Sequence, residues 1–153
     1  MHVKRQILHA LRVALAEAFA SALVDLDRLD PVPAGRCPAI LLRESDSGEG
    51  ITKVTAEGIQ RRDLPVSVSM CVARATGYGD EADALGLQVE QLLAGGSQPD
   101  LTTDLEGLCC FGIALRGSRL FMSGEGETAI AVLMHTWIFS YAVDPAQPDV
   151  AIT

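Results

Sequence analysis

The 153-residue sequence contains no run of lysine or arginine, and its twelve bases are outnumbered by twenty acids, for a formal charge of −8. A nucleic-acid reader needs a basic patch to neutralise phosphates, so this balance argues against one. Long apolar runs are missing too. Lys4 and Arg5 precede an apolar stretch, but Arg12, Glu17 and Asp25 interrupt it. The expectation is neither a secretory signal nor a membrane span, and a cytoplasmic setting. Cys37, Cys71, Cys109 and Cys110 show no Cys-x-x-Cys spacing, and His2, His9 and His135 are scattered. Zinc would want paired ligands at short spacing, so inert thiols are expected, with no metal or cofactor.

Phosphate-binding loops fare no better. Gly77-Tyr78-Gly79 and the glycines at 124–126 lack the complete patterns, and Asp80, Glu81 and Asp83 would repel an anion at the first. The nucleophile-and-base combination open to this chain is a cysteine such as Cys71 with His135. His135 falls within a strand-like run of large apolar residues, where a hydrogen-bonded core histidine is the commoner outcome. An enzyme is not expected.

What is present is a chain 48% hydrophobic, enough for one sizeable core over residues 1–153. Ile7, Leu8, Leu11, Leu15, Phe19, Ala22, Leu23 and Leu26 recur at spacings of three and four, which predicts an amphipathic helix over about 3–26, closed by Pro31 and Pro33. Pro38 to Arg43 reads as a short strand, and 51–56 as another. Between them, Glu44-Ser45-Asp46-Ser47-Gly48-Glu49-Gly50 is polar and acidic, and is expected to be a mobile loop. Leu64, Val66, Val68, Met70 and Val72 alternate with small or polar residues and predict a strand over 64–75.

A second helix follows, with Asp80 as its expected N-cap and Gly95-Gly96 as its stop. Gly86 inside it weakens the helix and suggests close packing on the sheet. Residues 108–115 fit either a buried strand or a short helix, with Arg116-Gly117-Ser118 as a bulge or turn. Ser123 to Glu127 forms a second acidic, glycine-rich connection. A long strand over about 128–143 carries Leu133, His135, Trp137, Phe139, Tyr141 and Val143 on one side, and Ile130, Val132, Met134 and Ile138 on the other. Such a strand should be central or face another subunit. From Asp144 the tail is expected to be irregular. The order predicts an α+β domain, two helices packed on one face of a mostly antiparallel sheet of four to five strands.

With these elements in place, the chain resembles the tail-terminator (minor tail protein U) family of long-tailed bacteriophages. The likeness is carried by the amino-terminal helix and by Pro38-Ala39-Ile40-Leu41-Leu42 running into the acidic loop. It continues through Arg62-Asp63-Leu64-Pro65-Val66-Ser67-Val68 and Gly126-Glu127-Thr128-Ala129-Ile130-Ala131, and ends with the last strand finishing in Phe139-Ser140-Tyr141. Cys109-Cys110-Phe111-Gly112 departs from it. The resemblance implies a subunit of a hexameric ring that caps the tail tube, ends its polymerisation and meets head-completion proteins. DNA would only pass through the lumen, and the setting is the virion tail, or the host cytoplasm during assembly.

On this reading the contacts with other subunits or with the tail-tube protein fall on the two acidic loops and flanking arginines. These are Arg43, Glu44, Asp46, Glu49, Arg61, Arg116, Arg119, Glu125 and Glu127. The alternatives are a head–tail connector or neck protein of the same virion, or a small ligand-binding α+β module.

Overall fold

The alternation from Leu64 to Val72 becomes the inner side of a thirteen-residue strand. The computed structural model describes residues 1–94, 107–109, 111–123 and 129–152. Along them run α1 (Val3–Ala18), β1 (Leu23–Leu26), a 3₁₀ turn (Ala34–Arg36), β2 (Ala39–Glu44), β3 (Gly50–Val54) and β4 (Gln60–Val72). Then come α2 (Tyr78–Ala94), β5 (Ile113–Ser123), β6 (Ile130–Asp144) and β7 (Gln147–Ala151).

The strands form one sheet in the order β1-β2-β4-β6-β5, with β3 also beside β4 and β7 also beside β6. β4 and β6 pair antiparallel from Gln60↔Val143 to Val72↔Ala131. Along the other edge of β4, β2 covers Val66 to Cys71 and β3 covers Gln60 to Asp63, end to end. β5 and β7 share the outer edge of β6 in the same way. β6 is therefore central, which explains its apolar residues on both faces.

The domain is α+β as expected, but its sheet is larger and mixed: seven strands among the described residues, with β1 parallel to β2. The first correction lies in the amino-terminal helix, which ends at Ala18, with Phe19 donating its N–H to the Leu15 carbonyl. Leu23 and Leu26 fit helical spacing, yet they belong to β1, where β2 supplies backbone partners and neighbouring side chains alternate between faces. Val24 joins the helix-side core and Leu23 the opposite face. The second is the tail, which is not irregular: Gln147–Ala151 adds a strand to the free end of β6, and Ile152 N–H continues the pairing to the Ala142 carbonyl. The third is α2, which begins at Tyr78, so that Asp80 sits in its first turn. The ambiguous segment divides: Leu108 is helical, Cys110 lies outside the described residues, and from Ile113 the chain becomes β5, an exposed edge strand bulged between Leu115 and Gly117. The stop at Gly95-Gly96 and the connection at 124–128 lie outside the described residues.

Both helices cover the same face. Ile7, Leu8, Leu11 and Leu15 of α1 and Ala82, Val89 and Leu93 of α2 pack with Leu64, Val66, Val68, Leu133, Trp137 and Phe139. Gly86 permits this closeness, because a Cβ there would stand 2.7 Å from Leu133 Cδ2 and 3.2 Å from His135 Nε2. The opposite face has a smaller apolar cluster at one end, where Val32 in the 27–37 connection covers Ala39, Cys71 and Val132. Beyond it, this face is covered by neither helix and is called the open face below, although Ser47, Gly48 and Thr52 border it and Pro65, Ser67 and Ile138 on it are buried.

Candidate interaction site

Strand register decides which side chains share the open face. Cross-strand partners point the same way. Arg43 of β2 is level with Ser67, Arg61 of β4 with Ala142, and Arg119 of β5 with Met134. Arg116, the extra residue of the β5 bulge, lines a cleft of about 300 Å³ on that side with Ser47, Thr52, Asp63, Pro65 and Ile138. The fold thus gathers Arg43, Arg61, Arg116 and Arg119, which span 77 positions of sequence, on one face.

Two of these arginines stack on aromatic rings. The Arg61 guanidinium lies 3.9 Å from the centre of the Phe111 ring, and that of Arg119 lies 4.8 Å from Phe121. Such stacks hold a long cation flat without removing its charge. Neither phenylalanine stands out in the sequence, since each lies in an undistinguished apolar run; Phe111 is as much as fifty residues from its partner. Asp46 is bonded to Arg43 at 2.7 Å, and this bond holds its carboxyl below the usual range. The Ser140 hydroxyl donates to Asp63 at 2.7 Å. Arg61, Arg116 and Arg119 have no ion pair among the described residues. Among the described residues, the open face thus carries four arginines against the carboxylates of Asp46 and Asp63, on a chain of net charge −8.

The acidic loop divides. Asp46 stays outside, but Glu44 and Glu49 turn toward the helix side. Glu44 meets Lys4 at 3.3 Å, and Glu49 meets Arg62 at 3.2 Å, both partners there being about 14% exposed. The Tyr141 hydroxyl donates to the other oxygen of Glu49. Burial, and then the Glu49 carboxylate, push the Tyr141 phenol well above its ordinary range. Glu44 and Glu49 are thus separated from the arginines with which the sequence grouped them. Glu125 and Glu127 lie outside the described residues.

The cysteine–histidine pairing is divided by the sheet, with Cys71 on the open side and His135 on the helix side. His135 is 1% exposed. Its Nδ1 accepts from Trp137 Nε1 at 3.4 Å, so the neutral ring carries its proton on Nε2, which faces Glu90 at 3.8 Å. Burial lowers the His135 pKa, against the opposing charges of Glu90 and Asp83. No metal-holding group of three or more His, Cys, Asp or Glu occurs among the described residues, and no described helix is long and apolar enough to cross a membrane. No protein-family model matches the chain, and no curated protein matches it.

Proposed function

We propose that this chain is a structural subunit of a phage or prophage tail, a tail terminator that caps the tail tube, ends its polymerisation and helps join tail to head. It acts by surface complementarity, without a covalent step. Its partners are further copies in a ring, the tail-tube protein and a head-completion protein, with DNA passing through without sequence-specific contact. The supporting observation is the open sheet face, where Arg43, Arg61, Arg116 and Arg119 converge and two of them are flattened on phenylalanines. Arginine and aromatic residues are the types enriched where protein interfaces draw most of their binding energy. The order of elements that carries the resemblance to the terminator family supports the same reading.

The test is an elongation assay on purified tail-tube protein, with tube length measured by electron microscopy. Added chain is expected to stop growth and leave tubes of limited length. The variant R61E/R116E/R119E is expected to lose this effect while keeping its circular dichroism. Tubes that grow unchanged in the presence of the wild-type chain would refute the proposal.

A further inference from the structure

β5 ends the sheet on one side, and its outer edge has no partner among the described strands. Past the bulge, Gly117 to Ser123 runs in regular register with β6, and Gly117, Ser118, Arg119 and Leu120 are all exposed. An edge of this kind presents backbone N–H and C=O groups to any extended chain laid beside it. Ser118, Leu120 and Met122 are level with His135, Leu133 and Ala131 and point to the helix side. Leu120 is 42% exposed and Met122 48%. The edge therefore carries an apolar strip beside its free backbone groups.

Between this edge and α2 lies a cleft of about 230 Å³, with Asp83 and Glu90 on its helix wall and Ser118 on its strand wall. Its floor includes the buried His135, and Gly86 keeps that floor open, since a Cβ there would stand 3.2 Å from His135 Nε2. The Nε2–H has no acceptor within hydrogen-bond distance among the described residues; the Glu90 carboxylate stands 3.8 Å away. Positive charge is missing from this cleft. All twelve lysines and arginines of the chain lie among the described residues, and none makes an ion pair with Asp83 or Glu90. The ion pair that α2 does make joins Glu81 to Arg74, at 3.3 Å. Two carboxylates and the Ser118 hydroxyl match an alkylammonium group, which has three donors and accepts nothing.

We infer that this edge and cleft bind an extended segment of a partner protein, seated beside β5 as an added strand, with one lysine level with Ser118 reaching back into the cleft. The lysine stem crosses one strand spacing, about 5 Å, above Ser118, whose small side chain leaves the way open. Its ammonium meets Asp83 and Glu90, and the Glu90 carboxylate, drawn inward, takes up the Nε2–H of His135. Residues two and four positions from that lysine fall level with Leu120 and Met122 and are apolar. Backbone pairing supplies affinity, and the lysine fixes the register. The net charge of −8 favours the approach of a basic segment. This surface is separate from the arginine face, and the inference does not depend on the tail reading.

Calorimetric titration of the full chain with a capped peptide of alternating valine and threonine, carrying one central lysine, tests this. The wild-type chain is expected to bind it, and acetyl-lysine in place of the lysine should weaken binding by about tenfold or more. D83N/E90Q should weaken the lysine peptide to the same degree and leave binding of the acetylated peptide unchanged, a pattern that a misfolded variant would not give. Hydrogen exchange should show protection gained by β5 amides over 117–123 when the peptide is added. n-Butylamine alone, which offers the ammonium without a strand, should bind about tenfold more weakly or worse and protect none of them. A lysine peptide that does not bind, acetylation or D83N/E90Q without effect, or protection gained elsewhere would each overturn the inference. Butylamine bound as tightly as the peptide would overturn it too, making the cleft a site for small amines.

Discussion

Glu49 belongs to the polar connection between β2 and β3, yet its carboxylate is turned into the protein. Arg62 approaches one oxygen and the Tyr141 hydroxyl the other. The same guanidinium bonds Gln60 at 2.7 Å and lies 3.1 Å from His2 Nε2, while His2 Nδ1 accepts from Lys4 N–H at 3.1 Å. A neutral imidazole has one acceptor nitrogen, so it can serve one of these two donors at a time, and a protonated ring serves neither. The network ties the acidic connection, the start of α1 and the far end of β4 and β6 together. Glu49→Gln removes the counter-charge of a mostly buried guanidinium and is expected to cost about 2–3 kcal/mol. Tyr141→Phe should cost about 1 kcal/mol, and the pair together should depart from additivity by more than about 0.5 kcal/mol. Urea denaturation of the two single variants and the double variant measures all three values; strict additivity would show that the carboxylate and the phenol do not cooperate.

At the scale of elements, the contact of α2 with the sheet turns on Gly86. Alanine is the better helix former by about 1 kcal/mol, so in an open position Gly86→Ala would stabilise. Here the added methyl would press on Leu133 at 2.7 Å and on His135, both held in the core. Overpacking costs of about 1–3 kcal/mol outweigh the helix gain, and a net loss of about 1 kcal/mol is expected. Thermal unfolding should show a lowered midpoint for Gly86→Ala, partly recovered when Leu133→Val makes room. An unchanged or raised midpoint would mean that the helix rides higher than this spacing.

The weakness of Gly86 as a helix residue was visible in the sequence, as were β4, β6 and the α+β class, because each has a period of its own. Segments decided by distant contacts were not. Leu23 and Leu26 satisfy helical spacing and fall on opposite faces of a strand, so only pairing with β2, a contact made at a distance, selects the strand. β7 is short and contains Pro148, so nothing local marks it; the free end of β6 makes it a strand. The arginines were legible as a list, but their convergence depends on the register of β2, β4, β5 and β6, as does the departure of Glu44 and Glu49 to the other side. No local pattern carries that information.

For the molecule as a whole, the buried titratable groups set limits on the pH range of stability. Burial lowers the His2 and His135 pKa values below the ordinary 6.5. Below that pH the unfolded chain binds protons that the folded chain does not, so stability falls as pH drops through 6.5 toward the folded values. On the alkaline side, burial raises the Cys71 thiol from 9.0 to about 11 and moves Tyr141 upward from 10.0. Here the folded chain keeps protons that the unfolded chain loses. The stability these two groups confer is full below about 9 and is lost as pH rises through their folded values. The two limbs should leave a plateau between about pH 6.5 and 9, measurable as unfolding free energies from urea titrations near pH 5, 7.5 and 10. Cys71→Ala should flatten the alkaline limb between about 9 and 11, and His135→Asn the acid limb, with each leaving the other limb in place. An acid limb that persists undiminished in a variant lacking both His2 and His135 would assign it to carboxylates instead.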